Sequence, residues 1–297
     1  MNAEAAADRQ SVDGAILAAA ATLGVLGGSA QGAQRVLALL CDATVSAAQI
    51  AAVLAREPGL ALRVLRVANS AYYGASRSIG NIERALVLLG LDAVRGIAAA
   101  ACLDRTIRRS GDVASLDLDA IVHHGFAAAV AAESLARLHH GALAADAFVA
   151  GLLHDLGVVV QQRMDPSGVR QLATALQAGP DQAPEALEPR HVVVGHAHCA
   201  AVLFEAWQLP AGLVQAARCH HHPLAAPPPQ RALAALVHLG DLAALACGAV
   251  HAQEPAALRC DPQVLELLGL AESDLDQVAR ALPARVKQLR EAFAAAA

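Results

Sequence analysis

Aromatic side chains are almost missing from this chain: seven in 297 residues, or 2%. Lysine is scarcer still, with Lys287 the only one. No P-loop lysine or Schiff-base lysine is therefore available outside the C-terminal tail. No run of basic residues stands out and the net charge is -5, which argues against a dedicated nucleic-acid binder. The six cysteines, Cys41, Cys102, Cys199, Cys219, Cys247 and Cys260, form no CxxC pair. That spacing suits neither a zinc ribbon nor a disulfide framework. They read as reduced, mostly buried thiols, and a cytoplasmic location is the default expectation. What is present is alanine, about a quarter of the chain, within a 56% hydrophobic composition. High apolar content with little net charge excludes disorder. Alanine is the best helix former and a poor strand former, so an all-α fold is expected. Because alanine buries little area, the core must come from Leu and Val on close-set helices.

Gly14 to Gln34 carries no charge and could pass for a signal peptide or a membrane span. The flank before it has Glu4, Asp8 and Asp13 against Arg9 alone, the wrong sign for a signal peptide. The run is also Ala- and Gly-rich rather than Leu-rich, so its insertion energy is weak. A soluble helix and loop are expected, with no membrane association.

Along the chain, residues 1–12 read as a polar tail, followed by a helix from Asp13 to Leu26 ending at Gly27-Gly28. Helical spacing resumes at Arg35 to Leu40. Ser46 with Gln49 three residues on reads as a capping box opening a helix through Ala55. Pro58 starts the next, which ends in Asn69-Ser70-Ala71-Tyr72-Tyr73-Gly74. Further helices are expected at Ile82 to Leu89, from a cap at Asp92 through Leu103, at Leu118 to Leu138, and at Asp146 to Val160. Val169 to Leu176 is a short helix, and Pro180, Pro184 and Pro189 make residues 179–190 a loop. His191 to Trp207, Ala211 to His220 and Gln230 to Val250 follow. Ser273 caps a last helix toward Phe293, bent at Pro283. No strand and no fixed repeat is visible.

The thirteen histidines are the unusual presence. Several lie inside apolar stretches, where an unpaired imidazole is costly. In Phe148-Val149-Ala150-Gly151-Leu152-Leu153-His154-Asp155-Leu156-Gly157 a His-Asp pair interrupts a hydrophobic helix. A metal ion gives a reason to bury both, since neutral imidazole and carboxylate are ready ligands. Further candidates, His124, His196, His220, His221 and Asp241, lie on separate expected helices and could meet only through the tertiary fold. The competing reading is a set of hydrogen-bonded core and surface histidines.

The His-Asp segment with His124 resembles the HD superfamily of metal-dependent phosphohydrolases. More closely, the chain is similar to the HDOD (HD-related output domain) family of bacterial signalling proteins. The match runs through Glu57-Pro58-Gly59-Leu60, Arg66 to Gly74, Ile82-Glu83-Arg84-Ala85-Leu86, Ala147 to Gly157, His196, Trp207-Gln208-Leu209-Pro210 and His220-His221 before Pro223. It covers roughly residues 30–228. The resemblance implies an all-α multi-helix bundle of HD type. It divides into a tail and helix (1–29), the HDOD domain (30–228, with lobes at about 30–110 and 115–228) and C-terminal helices that complete the bundle (229–297).

Relative to the catalytic HD-GYP cyclic-di-GMP phosphodiesterases, His124, His154, Asp155, His196, His220, His221 and Asp241 all match metal-ligand positions. The resemblance thus implies two divalent ions (Fe, Mn or Zn) bridged by Asp155. The chain departs from that pattern after His221, where His222-Pro223-Leu224-Ala225-Ala226 replaces a Glu followed by Gly-Tyr-Pro. Two functions follow from the resemblance. One is a non-catalytic output module that binds a protein partner and holds metal at an HD-like site. The other is a metal-dependent phosphohydrolase acting on a nucleotide or cyclic dinucleotide. Arginines such as Arg63, Arg66 and Arg84 are phosphate-contact candidates, each with a plainer role on a solvated helix face. Tyr72 and Tyr73 read as packing residues and Trp207 as a core anchor. Cys199 and Cys219, near His196 and His220, read as structural thiols.

Overall fold

In a computed structural model of the chain, alanine and glycine let the helices approach closely. The structure describes residues 3–22, 36–39, 42, 44–70, 72–74, 78–109, 116–178, 184–249 and 260–294. Among them there are fifteen α-helices with two short 3-10 turns and no strand. They are α1 (Ala3–Thr22), α2 (Ala47–Ala55), α3 (Pro58–Ala68), α4 (Ile82–Leu89), α5 (Leu91–Arg109), α6 (Leu118–His139), α7 (Ala144–Leu153), α8 (Gly157–Met164), α9 (Pro166–Ala178), α10 (Pro184–His191), α11 (His196–Ala206), α12 (Ala211–Cys219), α13 (Pro228–Ala246), α14 (Pro262–Leu268) and α15 (Glu272–Ala294).

Helix α6 is the axis of the bundle, packed by α7, α13 and α15. Its run Ala127 to Ala132 is inaccessible on every side. Small residues on the partners make this possible. A Cβ on Gly151 of α7 would stand 2.9 Å from the Ala128 carbonyl oxygen, and one on Gly240 of α13 would stand 2.7 Å from it. These helices meet backbone to backbone, which places residues projecting between them within reach of one another.

An N-terminal lobe of α2 to α5 joins this bundle through α5 against α7 and α3 against α15. The expected Ser46–Gln49 capping box is present. The Asn69 turn has a clear physical role: its amide donates to the Leu65 and Ile79 carbonyls, and its oxygen accepts from Ile79 N–H at 2.7 Å. One side chain thereby braces both ends of the turn. Tyr72 and Tyr73 pack edge to face, and Arg285 of α15 reaches toward the Tyr72 hydroxyl at 3.4 Å. The turn therefore packs against the rest of the molecule.

Several expectations need correction. The polar tail is helical: α1 starts at Ala3, because the early alanines favour helix and the helix buries Ile16 and Ala20 against α8 and α11. Gly27-Gly28 lie outside the described residues. Helix α5 follows Gly90 directly at Leu91, so Asp92 sits inside its first turn. The loop expected at 179–190 contains α10, since Pro184 suits a first turn and Leu187 has a small core to enter. Consequently α11 starts at His196 instead of His191. The helix α14 was not anticipated. Its start is set by Asp261, whose side chain accepts from Gln263 N–H. Helix α15 begins at Glu272, not after Ser273, and Asp274 accepts from Ala271 N–H. Pro283 lies within α15, which continues past it.

The most consequential correction concerns Asp146 to Val160. It is two helices, α7 and α8, separated by a turn at His154-Asp155-Leu156. Gly157 opens α8 against the start of α11, where a Cβ would overlap the His196 carbonyl. The stretch Gly141–Met164 is apolar and long enough to cross a membrane by composition, yet 83% of its window is buried inside the protein. It is core.

Candidate metal centre

All seven residues expected at the site converge. His124 projects from α6, His154 and Asp155 from the α7–α8 turn, and His196 from the first position of α11. His220 and His221 follow α12, and Asp241 sits in α13. The break in the apolar helix explains how adjacent side chains point to one place. A straight helix would splay them by about 100°, whereas the turn lets His154 and Asp155 converge.

Two groups form around Asp155. Its Oδ2 lies 3.1 Å from His154 Nε2 and 3.5 Å from His124 Nε2. Asp241 Oδ1 completes that side, 3.1 Å from His124 Nε2 and 4.0 Å from His154 Nε2. The other oxygen, Oδ1, lies 3.4 Å from both His196 Nε2 and His220 Nε2. His221 Nε2 is 2.9 Å from His196 Nε2. His124, His154, Asp155, His196, His220 and Asp241 are buried, and His221 alone is partly exposed.

The outward-facing ring nitrogens reveal the state of the inward-facing ones. His154 Nδ1 lies 2.8 Å from the Gly151 carbonyl, His220 Nδ1 2.7 Å from that of Ala217, and His124 Nδ1 2.7 Å from that of Ala249. A carbonyl only accepts, so each Nδ1 carries the hydrogen. In the neutral ring each Nε2 then presents a lone pair to the centre. Yet His124 and His154 face each other Nε2 to Nε2 at 3.3 Å, as do His196 and His220. Facing nitrogens and two carboxylates in a buried space favour positive charge between them, whether a proton or a metal ion. Protons cannot fill that need everywhere: burial lowers the His220 pKa, with neighbouring imidazoles adding to the effect, and lowers that of His221 well below the ordinary range. The donor set suits divalent cations, with neutral imidazoles and carboxylates in two clusters of metal-binding dimensions.

His196 differs from the other rings. Its Nδ1 donates to Glu188 Oε1 at 2.6 Å. The same oxygen accepts from His196 N–H at 2.9 Å and from Gln161 Nε2 at 2.8 Å. Burial alone would push His196 down, but the Glu188 carboxylate, helped by Asp155 and Asp241, lifts it to about 9. Burial likewise pushes Glu188 up, and His196 with Gln161 overrides it, to about 2. Burial acts upward on Asp241 too, but His124 holds it below the usual carboxylate range.

Sequence reasoning missed Glu188 and Gln161, because a glutamate among three prolines looks like a solvated loop residue. It also left His238 unassigned, although His238 Nδ1 donates to the His220 carbonyl at 2.7 Å and steadies that turn. His140 bonds the Leu268 carbonyl through Nε2 at 3.0 Å and stands apart from the centre. Arg63 and Arg66 lie on α3 and Arg84 on α4, helices that supply nothing to it. Cys199 and Cys219 belong to neither donor group. Burial, with Glu188 adding to it, pushes the Cys199 thiol up to about 12, which suits an inert core thiol.

Comparison with known proteins places this geometry in context. The profile of the HDOD domain family matches residues 29–223. A protein of Treponema pallidum (strain Nichols) with no characterised role is 28% identical over 178 residues, which are 60% of this chain and 34% of that protein. The chain thus matches about a third of that relative's length. A crystal structure from Shewanella amazonensis SB2B, named as a candidate phosphohydrolase, has a TM-score of 0.69 at 22% identity, covering 93% of this chain and 97% of that one. Another from Marinobacter aquaeolei VT8, named as a candidate signal-transduction protein, has a TM-score of 0.76 at 24% identity, covering 98% of this chain and 66% of that one. These likenesses establish the fold. The family match ends before Asp241, so the last member of the donor set lies on a helix beyond it.

Proposed function

The chain belongs to the HDOD domain family, and from that we propose that it is a regulatory protein with a dinuclear metal centre, acting mainly as an output module read by a protein partner. The observation that carries the metal reading is Asp155, which turns one carboxylate oxygen to each group of histidines. His124, His154, Asp241 and Asp155 Oδ2 would hold one cation; His196, His220, His221 and Asp155 Oδ1 would hold the other. Burial of six of the seven donors and the His222-Pro223-Leu224 sequence after His221 favour a structural or sensing use of the metal.

Metal analysis of protein purified without a histidine tag tests this reading. About two equivalents of iron, manganese or zinc, lost in Asp155→Ala, is the expected result. Metal-free wild type whose stability is unchanged by that substitution would sink it.

A second reading is favoured by the same shared carboxylate. Two bridged divalent cations supply Lewis acidity toward a phosphate ester and a water of lowered pKa. The chain's own part would be to hold the site dry, through the α6, α7 and α13 packing, and to admit substrate past the partly exposed His221. Turnover of a phosphodiester or cyclic dinucleotide by metal-reconstituted protein, absent in Asp155→Ala, supports hydrolysis. Metal-loaded protein without turnover supports the output module.

A further inference from the structure

The rings of the centre are anchored in two ways. His154 and His220 each bond a carbonyl three residues back in their own helices, Gly151 and Ala217. Such an anchor comes with the helix itself. His196 cannot use it, because it is the first residue of α11 and no helical turn precedes it. Its backbone N–H is also one of the orphan donors that every helix start leaves. Both groups bond one oxygen of Glu188.

Glu188 comes from outside the main core. It sits on α10, which pairs with α9 around a small separate core of Val169, Leu172, Leu176, Leu187 and Val192. Gln161 of α8 ties that hairpin to the bundle by donating to both Glu188 and the Val194 carbonyl. The approach is tight: a Cβ on Gly195 would stand 2.6 Å from Glu188 Oε2. A buried carboxylate holding a histidine by its far nitrogen is the arrangement that fixes a ring's tautomer and orientation at a metal.

We propose that Glu188 is the positioning residue of the second donor group, so that His196, His220 and His221 take their cation only while the α9–α10 hairpin presents this carboxylate. The first group, anchored on backbone carbonyls, does not depend on it. This rests on the dinuclear reading above and adds a direction of control: whatever displaces the hairpin empties one half of the centre and spares the other.

The test is cobalt(II) titration of metal-stripped full-length protein, followed by d–d absorption and calorimetry, with wild type, Glu188→Gln, Glu188→Ala and Gly195→Ala. Wild type should bind two equivalents. Glu188→Gln keeps an oxygen for the three N–H donors, so it should stay folded and keep both equivalents, the second less than about tenfold weaker. Glu188→Ala and Gly195→Ala should weaken the second equivalent by about 10- to 100-fold and leave the first unchanged. In metal-free Glu188→Ala the nitrogen-15 spectrum should lose the signal of the hydrogen-bonded His196 Nδ1–H, while those of His154 and His220 stay. Binding of the second equivalent with wild-type affinity in Glu188→Ala and Gly195→Ala overturns the proposal, as does equal loss of both equivalents. Wild type that binds no cobalt overturns the dinuclear reading itself, a separate failure.

Discussion

At the Glu188–His196 pair burial and charge act in opposite directions, and charge prevails on both partners. His196 in the metal-free protein sits at about 9, above its ordinary 6.5, so its contribution to stability is complete below 6.5 and lost as pH rises through 9. Glu188, at about 2 instead of 4.5, contributes fully above 4.5 and loses that contribution as pH falls toward 2. Metal-free wild type should therefore gain most from the pair between about pH 5 and 6.5. Thermal melts with chelator should show its advantage over Glu188→Gln shrinking between pH 6 and 9.5; a constant difference would contradict the assignment. The same proton occupies the place a cation would take. Metal uptake at pH 7.5 should release about one proton from His196, seen as a dependence of calorimetric heat on the buffer's ionisation enthalpy. None of this was legible in the sequence, where Glu188 is one charge in a proline-rich stretch. The seven candidate donors came from the family resemblance; the residues alone marked a His-Asp pair amid Leu, Val and Gly and left hydrogen-bonded core histidines as the competing reading.

Between elements, the decisive feature is how closely α6, α7 and α13 approach. Gly240 faces the Ala128 carbonyl where a Cβ would sit at 2.7 Å, and backbone on both sides leaves little room to yield. Gly240→Ala should cost about 1–3 kcal/mol in urea denaturation and weaken metal uptake, since Asp241 is the next residue. A neutral substitution would show that α13 shifts freely. In the N-terminal lobe, Asn69→Ala removes three hydrogen bonds from the turn and leaves the Ile79 N–H and C=O short of a partner. A loss of about 1–3 kcal/mol is expected, with metal content unchanged because α3 supplies nothing to the centre. Helix periodicity located most of these elements. It failed at the α7–α8 turn, which stays apolar throughout, and at α10, where prolines masked a helix that a small core makes worthwhile.

For the whole molecule, candidate donors from α6, the α7–α8 turn, α11, the turn after α12 and α13 would make metal binding a link between distant parts of the chain. A ligand that binds only the folded state stabilises it by about 2.7 kcal/mol at a hundred times its dissociation constant. Adding zinc or manganese to stripped protein should therefore raise the melting temperature, and Asp155→Ala should abolish the rise; an equal rise in that variant would place the metal elsewhere. At the surface, α1 is pinned by a chain of contacts: His198 Nε2 donates to Asp13 at 2.7 Å, and Arg218 donates to His198 Nδ1 and to Glu205.

The scarcity of aromatics and the abundance of alanine already pointed to helices, because alanine favours helix over strand and fills a core only when helices lie close. The residues that break the apolar background stood out in the sequence, and the family resemblance marked them as candidate donors. The sequence by itself could not say that Asp155 divides its oxygens between two groups of histidines, that imidazole nitrogens face each other across the centre, or that Glu188 holds one ring. Those facts depend on distances between 2.6 and 4.0 Å among residues up to 117 positions apart, from His124 to Asp241. Only the packing of helices brings such residues together.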